Sequence, residues 1–498
     1  MNDEYFATLR NSLSLIHQDL TSEDLQLTVN ERRKIYESYF KSDLPKSISD
    51  ETLSLYNFYP LICSSYDKDY ALKSLRHPNK IVSAEVYGMC TKEDIGYLVL
   101  AILVVLSNTV EKKIFSDTDP NEIVRDIFKE SGFAESPTNH LLLKSFTSLQ
   151  GEFTIFNGCI FSFLTTELFE CVASCIGESF IHCILKHSSS KFIKEKLQLY
   201  SSSEFVCPYS IKVPRKMEDT FYHRLSLDMK GFHFADVLNN KLFQIPANRK
   251  TLISYFAAQM ESKLCVNATT GSTVFHIVSS LGYSDLLGHF FQIYQYPNIN
   301  SRNFNGEAPL HLACQNGNLQ TVQHLIENKA EVNKMSTKNR TALHYACESG
   351  NQSVVICLIG NKASLNKKDK DGMTPLHLAC ERGYYEIVKI LVDKKADINE
   401  QGVITGRTPL HYACEHNFRN IVHFLISKKA NVNKTDVLGS TPLHIACING
   451  KEEIVKLLLN KQALTNVKNK QGQTPVNIAF QNGFEKITSL LAPNKPNK

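Results

Sequence analysis

A histidine recurs at a near-constant interval along the C-terminal half of this 498-residue chain. Each copy lies in the phrase Pro-Leu-His-Leu-Ala-Cys or a close variant of it, and the interval is 33 residues except for one of 34. The five positions are His311, His344, His377, His411 and His444. A catalytic histidine does not recur at a fixed step, whereas a stacked structural unit does. The pattern therefore predicts a solenoid, whose function lies on its surface rather than in a buried pocket.

One unit of this pattern, which begins at Asp369, predicts how each repeat folds. Asp371-Gly372 is a tight-turn signal. Thr374 offers a side-chain oxygen as N-cap, and Pro375 suits the first helical position, where a backbone N–H has no partner. Gly383 ends this helix, and a second helix follows with an apolar stripe made of Ile387, Val388, Leu391 and Val392. Each unit is thus predicted as turn, helix, turn, helix, with an apolar face that only stacked neighbours bury.

This unit resembles an ankyrin repeat. Five copies match closely, a degenerate copy precedes them around His276, and another follows in which Asn477 replaces the histidine. Degenerate end copies are expected, because the outer face of a terminal unit meets water. The resemblance covers residues 268–493. It implies a mostly α fold, in which a helical N-terminal domain precedes an α-solenoid of about seven repeats with short β-hairpin loops.

The remaining segments divide around this array by composition. Residues 1–195 are predicted as a helical domain, and residues 196–247, with their serine and proline clusters, as an irregular connector. Residues 248–267 regain helical character and are expected to cap the solenoid. Residues 494–498 are a short tail.

Two patterns predict helices inside the N-terminal domain. Asp119-Pro120-Asn121-Glu122 combines an N-cap, a proline at the first helical position and an acid at the third. The segment Cys159–Leu185 is apolar at helical spacing and is predicted as the central helix of a bundle. A metal cluster can be drawn within it, but the spacing lacks a paired CxxC and favours burial in the core for Cys171, Cys175, His182 and Cys183.

Two features depart from the ankyrin pattern. The family usually carries glycine before the alanine that follows the second helix, where a left-handed residue closes the helix. This chain has other residues at that position, namely Lys329, Lys362, Lys395, Lys429 and Gln462. A non-glycine residue in that conformation costs about 1 kcal/mol, so we expect a less stable array. The segment Gln401–Thr405 holds one extra residue, which predicts a longer hairpin loop in one repeat.

The resemblance implies that the array binds other proteins through its hairpin tips and the adjacent inner helices, without catalysis of its own. The candidate partner-binding residues are Phe304, Asn305, Glu348, Lys370, Glu381, Arg382, Arg407, Glu415, His416, Val437 and Leu438. Glu348, Glu381 and Glu415 occupy one position in three consecutive copies, which predicts an acidic step beside apolar tips. A partner with a basic, partly apolar segment would suit that surface. The alternative is that these glutamates are solvated surface residues.

Charge and spacing argue against several other kinds of site. The net charge of +5 is too weak to predict nucleic-acid binding, which needs a concentrated basic face. Histidines one repeat apart stand about 10 Å apart, whereas the ligands of one metal ion converge within about 2 Å of it. We therefore expect no metal and no cofactor, and we interpret the lysines at the helix ends as compensation of the helix dipole.

Thiol content and apolar runs bear on the location of the chain. Charged residues within Met1–Leu20 exclude a signal peptide, and the apolar run Tyr97–Leu106 has about half the length of a membrane-spanning helix. The fourteen cysteines are typical of reduced thiols, and five of them share one repeat position where burial is expected. These observations predict a cytoplasmic protein without a transmembrane segment.

A second, N-terminal resemblance is to VPS9 domains, which activate Rab-family GTPases by nucleotide exchange. Thr91–Leu103 is similar to the signature helix of that family, in which an acid opens an apolar helix, and Gly151–Leu164 is similar to a later phrase. The resemblance implies that Asp94 carries the exchange activity at the periphery of endosomal membranes. Two positions depart from the family, because Phe156 lies near a tyrosine slot and Tyr97 stands where a proline is expected.

The sequence thus leaves two functions open. The first is an intracellular adaptor or scaffold that recruits a protein partner through the groove and hairpin tips of the array. The alternative is a VPS9-type exchange factor in vesicle traffic, with the array as its targeting arm. Alternatively, residues 91–103 have only a structural role and form an ordinary apolar helix with Thr91 as its N-cap. Neither function makes the protein an enzyme that forms or breaks bonds.

Overall fold

The structure is a computed structural model that describes residues 78–116, 120–134, 136–150, 153–163, 166–200, 210–230, 233–257, 267, 269–294 and 298–492. The chain forms two compact units, each described by itself below. Unit 1 comprises residues 1–228 and 240–245, and unit 2 comprises residues 229–239 and 246–498. Asp119 and Glu152, which belong to two sequence predictions, lie outside the described residues.

Helices and two small sheets make up the described part of unit 1. The helices are α1 Pro78–Thr91, α2 Ile95–Val105, α3 Glu122–Ser131, α4 Asn139–Ser148, α5 Thr166–Ile176, α6 Ile181–His187, α7 Ser190–Lys196 and α8 Glu218–Lys230, whose last residues fall in unit 2. The strands are β1 Thr109–Glu111, β2 Thr154–Phe156, β3 Ile160–Phe163, β4 Leu197–Leu199 and β5 Ile211–Val213. Short 3-10 helices span Lys112–Phe115, Arg215–Met217 and Lys241–Gln244. β3 lies between β1 and β2 in an antiparallel sheet, and β4 pairs with β5 in parallel.

The centre of unit 1 is α2. Its residues from Gly96 to Val105 are all buried, and α1, α3, α4, α5 and α6 pack around it. A helix that is apolar on every side is stable only when it is enclosed in this way. The predicted N-cap was wrong by three residues: Thr91 ends α1, whereas the side chain of Asp94 accepts a hydrogen bond from the backbone N–H of Gly96 at 2.8 Å.

The segment Cys159–Leu185 was expected to be one central helix, and that expectation was wrong. It begins with β3, in which Phe161 and Phe163 are buried and alternate with less buried neighbours, the period of a strand. The helices α5 and α6 follow and meet at an angle of 117°. Gly177 lies at the bend, where a Cβ atom would be 2.5 Å from the side chain of Ile211. Buried residues in this segment therefore recur every two residues in the strand and about every 3.6 residues in the helices, and the bend interrupts the helical pattern.

Two further expectations for the N-terminal half differ from the structure. α3 begins at Glu122, two residues later than the predicted start, and Asn121 is its N-cap through a 3.0 Å bond from Val124 N. Residues 196–247, expected as an irregular connector, contain β4, β5, α8 and a short helix, α9 Phe234–Leu238, in unit 2. Among the described helices, none is by itself long and apolar enough to cross a bilayer, and only the bent pair α5 and α6 reaches the required length and apolarity together.

The described part of unit 2 contains the last residues of α8, α9, α10 Pro246–Ala257 and seven helix pairs, which we number as repeats 1 to 7. In each pair the first helix is called inner and the second outer. The pairs are Val274–Leu281 with Ser284–Ile293, Pro309–Gln315 with Leu319–Glu327, Ala342–Ser349 with Gln352–Gly360, Pro375–Arg382 with Tyr385–Asp393, Pro409–Glu415 with Arg419–Ser427, Pro442–Ile448 with Glu452–Leu459, and Pro475–Gln481 with Glu485–Leu491. Inner helices pack on inner helices and outer on outer along the array, so the repeats form a solenoid as predicted.

The core of the array is a row of small and branched side chains from the inner helices. In repeat 4, Leu376, Ala379 and Cys380 have no exposed surface, and Gly383 ends the helix with a φ of 80°. The five cysteines at the position of Cys380 are all fully buried, as the sequence predicted. At the N-terminal end, Phe256 of α10 packs edge-on against Phe290 of the outer helix of repeat 1, with ring centroids 5.9 Å apart.

Candidate functional site

The recurring histidines stabilise the array through side-chain hydrogen bonds to the backbone. In repeats 1 to 6 the imidazole Nδ1 accepts a hydrogen bond from the backbone N–H of the N-cap residue at 2.8–3.1 Å. The Nε2 atom lies 2.9–3.2 Å from a backbone carbonyl of the following repeat. Since Nδ1 accepts, the proton is on Nε2, which donates across the repeat boundary. Each histidine therefore caps its own helix and links it to the next repeat.

Burial keeps these imidazoles neutral. It lowers the pKa of His344, His377 and His411 to about 4, because the low-dielectric interior disfavours the charged form. In repeat 7, Asn477 replaces the imidazole, and its Oδ1 accepts from Thr474 N at 3.0 Å. Within the described residues no three His, Cys, Asp or Glu side chains converge on a metal position.

The hairpin tips form a continuous hydrogen-bonded row. Each tip is closed by a bond between its first and last residues, such as Asp369 N to Met373 O at 2.9 Å. Consecutive tips are also joined: Lys370 N donates to Lys338 O, and Val437 N donates to Thr405 O, each at 2.9 Å. The tip side chains of neighbouring repeats are therefore held at a fixed spacing along one ridge.

Two adjacent tips, in repeats 5 and 6, present a patch that we name the apolar tip cluster: Val403, Ile404, Val437 and Leu438. Their exposed fractions are 66, 62, 43 and 61%. The tip of repeat 5 is longer by one residue, because its closing bond joins Gly402 N to Arg407 O rather than residues four apart. The extra residue was predicted from the sequence. Exposed apolar side chains on contiguous loops mark binding surfaces in folded proteins.

The predicted acidic step is largely neutralised within the array. Glu348 pairs with Arg340 at 2.7 Å and with Arg382 of the next repeat at 3.1 Å. Glu415 pairs with Arg407 at 2.7 Å. Only Glu381 of the three makes no ion pair with a described residue. The acidic character of the inner-helix surface is therefore concentrated at one position.

Arg340 and Arg407 join the hairpin tips to the inner helices. Besides their glutamates, they lie 3.2 Å from the buried carboxylate of Asp369 and 3.7 Å from that of Asp436, which belong to the tips of the following repeats. The Asp369 Oδ1 in turn accepts bonds from two backbone N–H groups of its own tip. These arginines fix the orientation of successive tips. A change at either arginine is therefore expected to move the tip row as well as the charge.

The other predicted residues occupy the same face. Phe304 is 70% exposed on the tip of repeat 2, and the backbone carbonyl of Asn305 accepts from Thr337 N of the next tip. Lys370 is exposed on the tip of repeat 4. His416 lies beside the Glu415 carboxylate, with 4.0 Å between Nε2 and Oε2.

A family model described as ankyrin repeats matches the chain in three overlapping spans, residues 274–369, 353–436 and 432–498. The C-terminal half of the chain is an array of ankyrin repeats. The crystal structure of the human ASB11 ankyrin repeat domain is similar at 27% identity, covering 45% of this chain and 100% of that one, with a TM-score of 0.41. The ankyrin repeat domain of Bcl-3, described as a unique member of the IkappaB protein family, is similar at 28% identity, covering 45% and 99%, with a TM-score of 0.40. A search of the curated proteins found no match.

The ankyrin match begins at residue 274, and the VPS9 resemblance of unit 1 receives no support. Asp94, the acid on which that resemblance depends, has a structural role as the N-cap of α2. Tyr97 is buried against Phe180, with ring centroids 5.6 Å apart. Phe156 stacks on Phe161 in the small sheet, with ring centroids 4.4 Å apart. Asp94 therefore caps a helix of unit 1, and Tyr97 and Phe156 contribute to the aromatic packing of this unit.

Two features of the ankyrin array were missed by the sequence prediction of the site. Val403, which lies on the lengthened loop and is 66% exposed, was not named as a binding candidate. Arg340 and its ion pair with Glu348 were not predicted. The sequence does contain a signal for this ion pair. The phrase Arg-Thr-Ala-Leu-His-Tyr-Ala-Cys-Glu, which begins at Arg340, recurs two repeats later as Arg-Thr-Pro-Leu-His-Tyr-Ala-Cys-Glu. The copy between them lacks both the arginine and the tyrosine.

Proposed function

We propose that the protein is an adaptor that recruits a protein partner through the tip ridge and the inner-helix face of its ankyrin array. The apolar tip cluster is the observation that carries this proposal. Exposed apolar side chains on two bonded tips form a contact area that water solvates poorly and that a partner would cover. Cytoplasmic residence, expected from the thiol content, is part of the proposal.

The partner is proposed to bring apolar side chains to the tip cluster and a basic residue to Glu381. Tyr412 connects these two features, since its hydroxyl lies 3.2 Å from Thr405 Oγ1 on the tip of repeat 5. Burial raises the pKa of that hydroxyl, and the charges of Glu381 and Glu415 raise it further. Glu381 and Tyr412 lie on the inner helices of repeats 4 and 5, which pack against each other. A basic, partly apolar segment thus fits both Glu381, which makes no ion pair with a described residue, and the apolar tip cluster.

The test compares two double variants of the full-length chain in affinity capture followed by quantitative mass spectrometry. Ile404→Ser with Leu438→Ser removes one exposed apolar side chain, 62 and 61% exposed, from each of the two tips. Ile356→Ser with Leu464→Ser removes two apolar side chains of comparable exposure, 52 and 50%, outside the tip cluster. Because central apolar residues dominate binding energy, we expect the tip variant to weaken capture by about 2 kcal/mol or more, roughly thirtyfold.

A protein that is captured by the wild type and the control variant but lost with the tip variant supports the proposal. Glu381→Gln then tests the charge requirement, since this substitution breaks no ion pair with the described residues. Equal losses with both double variants, or no protein whose capture depends on the tips, would overturn it.

A further inference from the structure

A second surface of the array carries a repeated backbone strain. Four lysines in consecutive repeats have a positive φ, between 62° and 70°, at the turn that follows the outer helix. They are Lys329, Lys362, Lys395 and Lys429. Glycine adopts this conformation without cost, whereas a residue with a Cβ atom is strained there. Strain that recurs at one position indicates that the side chain itself has a use.

Further lysines extend this position into a row. In repeats 4, 5 and 6 the preceding residue is also a lysine, and all of these side chains are exposed. We name the set the lysine edge: Lys329, Lys362, Lys394, Lys395, Lys428, Lys429 and Lys461. Only Lys428 has an ion-pair partner among the described residues, Asp393 at 2.8 Å.

Asparagines hold the lysine-bearing turns in register. The side chain of Asn333 donates to the backbone carbonyl of Lys362 at 3.1 Å and accepts from Ser364 N at 2.7 Å. An asparagine side-chain oxygen accepts the equivalent bond from the next repeat at Asn300, Asn366, Asn399 and Asn433. The turns thus follow one another at the packing distance of stacked helices, about 10 Å.

The charges around the lysine edge do not cancel it. Glu400 pairs with Lys368, which is not part of the lysine edge, at 2.6 Å. Glu331 pairs with Lys334 at 3.2 Å. The other nearby acids in the sequence are Glu327, Asp393 and Asp397, fewer than the seven lysines. The row therefore has a net positive charge.

We propose that the lysine edge binds an extended acidic segment of a protein. A single row of charges matches a one-dimensional ligand. Its period of about 10 Å is close to three residues of an extended chain in the polyproline II conformation, which rises about 3.1 Å per residue and places every third side chain on one face. Nucleic acid is less suited, because single strands are held by base stacking on aromatic residues. The turns that carry the lysines contain none. A plane of lipid headgroups would engage a patch rather than one row.

The probe is a labelled peptide of eight Asp-Gly-Ser units, titrated with the full-length chain by fluorescence anisotropy at low salt. The variant replaces Lys329, Lys362, Lys395 and Lys429 by Gly, which removes four charges and relieves the strain at the same time. We expect peptide affinity to fall roughly thirtyfold, since each exposed ion pair contributes a factor of about two to three. The same variant should unfold at a higher temperature than the wild type, so lost binding cannot be attributed to misfolding.

Two matched variants complete the design. Replacing the same four residues by Arg keeps the charge and should keep the affinity. Replacing Lys338, Lys370, Lys468 and Lys470 by Ser removes four exposed lysines from the tips and their flank. It should leave peptide binding unchanged. The Ile404→Ser, Leu438→Ser variant should also leave it unchanged, which separates this proposal from the proposed function.

Three results would overturn the inference. The first is an equal loss of peptide affinity with the tip-lysine variant. The second is no peptide binding while phosphatidylserine vesicles or poly-uridine RNA bind, which would assign the edge to a lipid surface or to nucleic acid. The third is no binding of the peptide, the vesicles or the RNA at low salt, which would leave the strained lysines without a ligand.

Discussion

Acidification from pH 7 to pH 5 is expected to open the middle of the ankyrin array. The folded array holds His344, His377 and His411 neutral, with their pKa lowered to about 4 by burial. An unfolded histidine takes up its proton near pH 6.5, at its ordinary pKa. Below that pH the open state therefore binds more protons than the folded state. The stability contributed by each neutral histidine is complete above about pH 6.5 and is lost as the pH falls toward 4.

The size of this effect follows from the two pKa values. Because the pKa of each histidine is 6.5 in the open state and about 4 in the folded state, acidification from pH 7 to pH 5 reduces the stability of the folded state. The reduction is about 2 kcal/mol for each histidine that becomes exposed on opening. Opening repeat 4 alone exposes His377, so acidification lowers the free energy of that opening by about 2 kcal/mol. Opening repeats 3 to 5 together exposes three histidines, and the three reductions sum to about 6 kcal/mol. That sum is comparable with the whole stability of an ordinary domain, about 5–15 kcal/mol. Carboxylates contribute little in this window, because most of them titrate below about pH 4.5.

Hydrogen exchange measured by mass spectrometry on the full-length chain resolves this opening by repeat. After correction for the intrinsic exchange rate at each pH, protection of residues 375–382 should fall by about 2 kcal/mol or more, at least roughly thirtyfold, at pH 5. The matched control is His377→Asn, which copies the arrangement of Asn477 in repeat 7. That variant loses the bond from Nε2 to Arg407 O and is less stable at both pH values. Its protection in repeat 4 should nevertheless change less with pH.

Two outcomes would refute this reasoning. One is a change of protection below about 0.5 kcal/mol in the wild type, which would mean that the imidazoles stay accessible to protons in the folded array. The other is an identical pH dependence in His377→Asn, which would place the titrating group elsewhere in the repeat.

Two further predictions concern the packing of each unit. Leu376→Ala should destabilise repeat 4 by about 2–4 kcal/mol, because Leu376 has no exposed surface and its truncation leaves a cavity. Pulse proteolysis in urea measures this loss, with Leu376→Met as the volume-conserving control. An unchanged unfolding profile of Leu376→Ala would contradict the stacking of the repeats. Asp94→Ala should destabilise α2 by about 1 kcal/mol through loss of its cap, whereas Asp94→Asn keeps an acceptor and most of the stability. The same two variants test nucleotide exchange, measured as release of labelled GDP from Rab GTPases. If the wild type stimulates release and both variants lose it, the carboxylate of Asp94 acts in exchange and is not only a helix cap.

The fold of the array was predictable because its signals are local and repeated. Thr374, Pro375 and Gly383 specify the start and end of a helix within ten residues of one another, and seven copies average out the exceptions. The positive φ of the lysines also followed from position alone. The pairing of Glu348 with Arg382 did not, because it joins side chains 34 residues apart and depends on how neighbouring repeats stack.

Unit 1 was harder to predict because it has no internal repetition. The buried helix α2 was recognisable as an apolar run, but its cap was assigned to the wrong residue among several polar candidates. Apolar residues occur along the whole segment Cys159–Leu185, so its strand and its two helices cannot be separated by composition. The bend at Gly177 depends on the approach of Ile211, which lies in a distant part of the sequence.

A repeat array offers a comparison that a single domain lacks, since each position occurs several times in one chain. In repeats 2 to 6 the positions of His377, Leu376 and Cys380 do not vary from copy to copy, and the structure buries all three in each of these repeats. The position of Arg407 varies freely, being occupied by Glu, Arg, Met, Arg, Ser and Gln in repeats 2 to 7, and it lies where the tips meet the inner helices. Invariance between copies therefore identifies the scaffold, and variation on a common face identifies the surface available for recognition. The residue inserted in repeat 5 falls on that face, in the tip that carries Val403 and Ile404, which is why we place partner binding there.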